Sequence, residues 1–148
     1  MTKKSIFKYD SPQESTGLLL WKTHNYWQRE IRKCLKPFNL THTQFVILAN
    51  TQWLLMQGEE VKQISIAKQA DVDIMMTSNI IRTLEKKAYL TRKPHHTNTR
   101  AKLVSLTPKG FDILKKALHE VETFDKKFFG KLANVKSFNT DLLALLKD

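Results

Sequence analysis

Between Val61 and Leu106 the chain runs through two short helical stretches, a tight turn and a pair of strands in one fixed order, and few folds accommodate that order. Val61 to Gln69 carries Ile64, Ile66 and Ala67; Asp73 to Lys87 opens on an aspartate suited to capping and places Ile74, Thr77, Ile80, Ile81 and Leu84 at helical spacing. Only Ala70-Asp71-Val72 separates them, room for a tight turn and no more. After Ala88 the pattern becomes that of strands: "YLTR", a polar tip, then "KLVSL", where Leu103 and Leu106 flank the β-favouring Val104. Two short helices about a tight turn, followed by a hairpin, make a winged helix-turn-helix. Its helices are expected at 61–69 and 73–87 and its wing at 88–106.

Long helices flank this unit. Ser11-Pro12-Gln13-Glu14 reads as a capping box, and Leu20, Trp27, Ile31 and Leu35 behind it share one helix face that ends before Pro37. Thr41-His42-Thr43-Gln44 is a second box; "QFVILANTQWLLM" after it is apolar almost all round, as a buried central helix would be, and Gly58 ends it. Thr107-Pro108 caps a long helix from Pro108 to about Phe129, stopped by Gly130, and Asn134 caps a last one bearing Val135, Phe138, Leu142 and Leu145 or Leu146. With four glycines and four prolines in 148 residues, little is left for linkers, so a single domain over 1–148 is expected, mainly α with a small β wing. No apolar run approaches the roughly 20 residues that span a bilayer, MTKKSIFKYD is no secretory signal, and the single cysteine cannot form an internal disulfide. A cytoplasmic protein with no membrane association is the reading.

Charge points to a partner. Twenty-five Lys and Arg against 14 acids leave +11, an attraction to polyanions, nucleic acid first. Eight of those bases against the single Glu85 put +7 into residues 82–109, and "LTRKPHHTNTRAKLVSLTPKG" contains no acid at all. A charged run is usually a solvated face; beside a reading helix it suits phosphate neutralisation, here by Lys68, Lys86, Arg92, Lys93 and Lys102. With Ile74, Thr77, Ile81 and Leu84 packed inward, Met75, Met76, Ser78, Asn79 and Arg82 face a major groove, where Asn suits adenine, Arg guanine, and Met a thymine methyl. Arg100, with Thr97, Asn98 and Thr99, would lie on the backbone or in the minor groove. The helix-turn-helix thus spans 61–87, within a DNA-binding lobe over 41–107.

The adjacent His95 and His96 lack regular ligand spacing, and no cysteine or carboxylate lies within the tip, so no metal is expected and the pair reads as a backbone contact. Cys34, beside Leu35 on the apolar side of its helix, reads as a small buried hydrophobe, with Arg32, Lys33 and Lys36 keeping open a reactive thiolate. There is no phosphate-cradling glycine loop, nucleophile elbow, HExxH or paired cysteine, so neither an enzyme nor a cofactor is expected.

Four stretches, "NLTHTQFVIL", "ISIAKQADVD", "IIRTLEKKAYLTR" and "NTRAKLVSLTPKG", stand in the order found in the multiple-antibiotic-resistance regulator (MarR) family, and the chain resembles that family over roughly residues 12–147. The resemblance is most specific from Leu84-Glu85-Lys86-Lys87 to Leu106-Thr107-Pro108-Lys109-Gly110. It departs from the family pattern at Ala88, where a glycine is usual, at Lys62, where Ser or Thr caps, and at Asn98, where an aspartate pairs with the wing arginine. The resemblance implies a homodimeric, sequence-specific transcription regulator, usually a repressor, on a pseudo-palindromic double-stranded DNA operator, in the nucleoid. It further implies dimerisation through the terminal helices, 12–36 and 108–147, and release by a small phenolic or lipophilic ligand or an oxidant. By the same resemblance His24 and Trp53 would line the ligand pocket. The alternative is an architectural DNA-binding protein without sequence preference or ligand response.

Overall fold

Helix punctuation in the sequence becomes six helices and two strands among the described residues, 5–98 and 100–147 of this computed structural model. They are α1 (Thr16–Leu35), α2 (His42–Met56), α3 (Gln63–Ala70), α4 (Ile74–Lys86), β1 (Leu90–Pro94), β2 (Lys102–Leu106), α5 (Pro108–Phe129) and α6 (Val135–Leu145). The second capping box closes in both directions: the Gln44 amide donates to Thr41 Oγ1 and the Thr41 amide to Gln44 Oε1, each at 3.1 Å. Asp73, Thr107 and Asn134 cap α4, α5 and α6 through their side chains, each cap contributing about 1 kcal/mol.

The first helix begins later than its sequence suggests. Pro12–Glu14 forms only a 3-10 turn, Ser11 makes no side-chain cap, and Ser15 caps α1 instead by accepting from the Leu18 amide at 3.3 Å. Ser15 is extended (φ −85°, ψ 101°), which breaks the helical run, and Glu14 reaches past Ser11 to accept from the Asp10 amide.

Helix α2 is the hub: it touches α1, α3, α4, α5 and β2. Its Phe45, Ile47 and Leu48 join Ile31 and Leu35 of α1, Ile66 of α3, Ile81 and Leu84 of α4, Leu90 and Val104 of the strands, and Leu114, Ala117 and Val121 of α5 in one buried core. The two buried hydroxyls are satisfied within their own helices, Thr51 Oγ1 donating to the Ile47 carbonyl at 2.7 Å and Thr77 Oγ1 to that of Asp73 at 2.9 Å. Trp27 Nε1 donates to Asp125 Oδ1 at 2.8 Å, tying α1 to α5. Helix α6 buries none of its residues.

The wing pairs antiparallel with Leu90 opposite Leu106 and Pro94 opposite Lys102. A helix expected from Val61 starts only at Gln63. Val61 instead accepts from the Val104 amide at 2.8 Å, while Lys62, extended (φ −99°, ψ 155°), bridges Leu103, so this stretch covers the free edge of β2. The β-branched Val61, buried there, suits a strand better than a helix start. Ile74, expected inward, is 49% exposed, because the first turn of α4 projects past the core that Ile81 and Leu84 enter.

At the wing root Ala88 takes a left-handed conformation, φ +64°, explaining why a glycine suits this position. Its carbonyl accepts from Thr107 Oγ1, and the Tyr89 carbonyl accepts from the Thr107 amide at 3.0 Å. Gly110 rides directly over the residue before β1: a Cβ there would stand 1.9 Å from the Tyr89 carbonyl oxygen.

Candidate nucleic-acid interface

Asp73 shapes the N-terminal end of α4. Its Oδ2 accepts from the amides of Met75 and Met76 at 3.0 and 3.1 Å, and both methionine side chains stand free, 73% and 52% exposed. Solvating two unbranched apolar side chains on the first turn of a helix is unfavourable unless something else covers them. One and two turns on, Asn79 and Arg82 are exposed and Ser78 is half-buried. Asn79 Oδ1 accepts from Arg82 Nη1 at 3.2 Å, which turns the remaining amide and guanidinium donors outward together. Lys86 at the end of α4 and Lys68 on α3 are exposed.

The basic cluster divides into structural and free cations. Arg92, only 22% exposed, lies against Glu85 (Nη2 to Oε1, 3.0 Å) and donates from Nη1 to Gln63 Oε1 at 3.4 Å, so it ties β1 to α4 and α3. The hydrogen bond from Arg92 is the chief reason that the Glu85 carboxyl lies below its ordinary value. Lys87 donates to the Asn39 carbonyl at 2.8 Å, and Lys109 to the Lys87 carbonyl at 3.4 Å while its ammonium sits over the Tyr89 ring. Lys93 and Arg100 are exposed and Lys102 half-buried, each on the wing and none in an ion pair among the described residues. The charge count alone could not make this division, because the partners of Arg92 and Lys87 come from other elements.

The tip closes through its backbone: the His95 amide donates to Ala101 and the Ala101 amide to Asn98. Asn98 Oδ1 accepts from the Arg100 amide at 3.2 Å, a neutral bond where the family pattern has an ion pair. Thr97, Asn98 and Arg100 are exposed; Thr99 lies outside the described residues. The structure also brings Glu60, from the loop between α2 and α3, against both histidines of the tip, a contact between residues far apart in the chain that no local pattern signals.

Of the two residues assigned to a ligand pocket, His24 lines a shallow depression with Gly17, Leu20 and Trp21 on α1. Trp53 stands exposed on α2 and is not part of that lining. Cys34 is half-buried; burial foremost, then the charges of Glu120, Glu30 and Asp125, push its thiol up. No helix among the described residues is long and apolar enough to cross a membrane.

Known proteins give the same picture. The sequence profile of the MarR family matches residues 40–102. YdcH of Bacillus subtilis strain 168, an HTH-type transcriptional regulator, is 39% identical over 140 residues, covering 95% of each chain. Among solved structures, a mutant of MarR from E. coli complexed with operator DNA superposes with a TM-score of 0.79 at 21% identity, over 94% of this chain and 100% of that one. CouR from Rhodococcus jostii RHA1 bound to p-coumaroyl-CoA gives 0.78 at 20% identity, over 93% of each. These two show the winged-helix fold, and the Bacillus relative shows the lineage: the chain belongs to the MarR family of transcriptional regulators.

Proposed function

We propose that the protein represses transcription by binding a pseudo-palindromic double-stranded operator as a homodimer, and that a small phenolic or lipophilic ligand releases it. The observation that carries this reading is the juxtaposition of two uncovered surfaces: the Met75, Met76, Asn79 and Arg82 face of α4, and a wing whose Lys93, Arg100 and Lys102 make no ion pair among the described residues. The first, with Ser78, enters the major groove; the second, with Thr97, Asn98 and Thr99, follows the backbone into the minor groove; Lys68 and Lys86 neutralise phosphates. Arg92 contributes field and positions the wing more than it contacts phosphate.

Dimerisation is supported by apolar surface that the single chain leaves open. Leu19, Leu20 and Trp21 of α1, and Leu143, Leu145 and Leu146 at the C-terminal end, are all exposed. Residues 12–36 and 108–147 would meet a second copy there, setting two α4 helices roughly 34 Å apart on one face of the duplex. The operator-bound and acyl-CoA-bound neighbours support the DNA and ligand parts of the reading. On this reading the protein acts where the chromosomal DNA is, in the cytoplasm at the nucleoid.

Fluorescence-anisotropy titration against DNA upstream of its own gene and a scrambled duplex, at several salt concentrations, tests it. Binding upstream on the order of 10³-fold tighter than to the scramble, with a steep salt slope, is the expected result. Equal affinity for every duplex tried, across a panel of candidate operators, would replace it with an architectural role.

A further inference from the structure

His95 and His96 look unremarkable in the sequence because no carboxylate stands near them. In the fold their rings stack with centroids 4.4 Å apart and an interplanar angle of 21°, and both present a nitrogen to one carboxylate. His95 Nε2 lies 3.3 Å from Glu60 Oε2, and His96 Nδ1 lies 3.7 Å from Glu60 Oε1. One ligand atom from each of the three residues falls within 4.8 Å of the others.

We propose that Glu60, His95 and His96 form a binding site for a divalent transition ion of the zinc class, joining the wing tip to the loop between α2 and α3. Two imidazoles and one carboxylate are a donor set that suits zinc, and hard cations such as magnesium prefer oxygen alone. Ligand atoms on a tetrahedral zinc stand about 3.3 Å apart, given bonds of about 2.0–2.1 Å. The carboxylate–imidazole separations, 3.3 and 3.7 Å to the two different oxygens of Glu60, are near this while the three ligand atoms as a set lie within 4.8 Å, so an inward movement of the exposed carboxylate and of the exposed His96 ring completes the set. Water fills the remaining position, since the site lies at the surface.

Binding has a defined consequence for the tip. His95 Nδ1 accepts from the amides of Thr97 and Asn98, both at 3.2 Å, and lies 3.0 Å from Thr97 Oγ1. A ring nitrogen that accepts two amides carries no proton, so the proton of the neutral ring is on Nε2, directed at Glu60. A metal on Nε2 needs that lone pair, and the proton moves through solvent to Nδ1, leaving the imidazole neutral. Nδ1 then donates to Thr97 Oγ1, and the two exposed amides turn to water. Metal binding therefore rearranges the turn that carries Asn98 and Arg100. Any effect on operator affinity rests on the proposed DNA contact of that turn; the metal site does not.

The test is titration of the full, untagged protein with ZnCl2 by calorimetry, and with CoCl2 by visible absorption, while the Thr97 and Asn98 amides are followed by NMR. One equivalent per subunit, with both amide signals shifting, is the expected result. Glu60→Gln and His96→Asn change exposed side chains and should each weaken binding by at least about tenfold, whereas His119→Asn, a distant exposed histidine on α5, should leave it intact. No binding, or binding that survives both Glu60→Gln and His96→Asn, overturns the site. Operator affinity measured without metal is expected to be the same for Glu60→Gln and the parent protein, so failure here is separable from failure of the DNA reading.

Discussion

Arg92 and Arg100 look alike in the sequence and have different surroundings, which separates their expected effects. Arg100→Ala should weaken operator binding by about 1–3 kcal/mol with folding stability unchanged, as anisotropy and urea unfolding would show. Arg92 instead anchors the wing through Glu85 and Gln63. Because Glu85 is partly exposed, the pair contributes at most about 1 kcal/mol, and its pH dependence has a definite sign. The folded carboxyl is held below its ordinary 4.5, so the contribution is present above that value and vanishes as acid protonates the folded form. Urea unfolding should show Glu85→Gln less stable than the parent protein near neutral pH, with the gap closing in strong acid. Ala88 is a third case: its left-handed backbone costs a side chain about 1 kcal/mol. Ala88→Gly should raise stability in the same assay by less than that amount, the greater entropy of the unfolded glycine cancelling part of the gain.

At the scale of elements, the helix ends were largely legible because caps are local chemistry. Thr41 to Gln44, Asp73, Thr107-Pro108 and Asn134 each act where the residue pattern puts them. Where the pattern misled, another element decided. Val61 was taken from a helix by the open edge of β2, and Ser15 displaced Ser11 because the chain bends between them. The candidate interface was legible as a set of exposed polar and basic residues, but which cations were already bound by Glu85, Gln63 and Asn39 depended on contacts far apart in sequence. Glu60 escaped for the same reason. The Asp73 cap offers a test at this scale. Asp73→Ala should cost about 1 kcal/mol of stability, and should weaken operator binding as well, since the Met75 and Met76 amides lose the acceptor that fixes the first turn of α4.

For the whole molecule, the expected assembly and the expected interface depend on each other. Placing a charge in the open apolar surface, as in Leu20→Asp or Leu143→Asp, should shift sedimentation from dimer towards monomer and abolish tight operator binding while leaving binding to a half-site weak and salt-sensitive. Retained tight binding by a monomeric variant would remove the dimer from the reading. Alongside this, the close approach of Gly110 to the Tyr89 carbonyl bears on how movement travels. Helix α5 is 22 residues long, about 33 Å at 1.5 Å per residue, and its first turn is pressed onto the root of the wing with no room for even a methyl group between them. A pivot of about 5° at the far end of such a rod displaces its near end by about 3 Å, towards or away from the wing root that it touches. In the proposed dimer the close approach of Gly110 to Tyr89 would make α5 a lever, turning a small change in how two subunits lean together into a displacement as large as a hydrogen bond at the proposed DNA face.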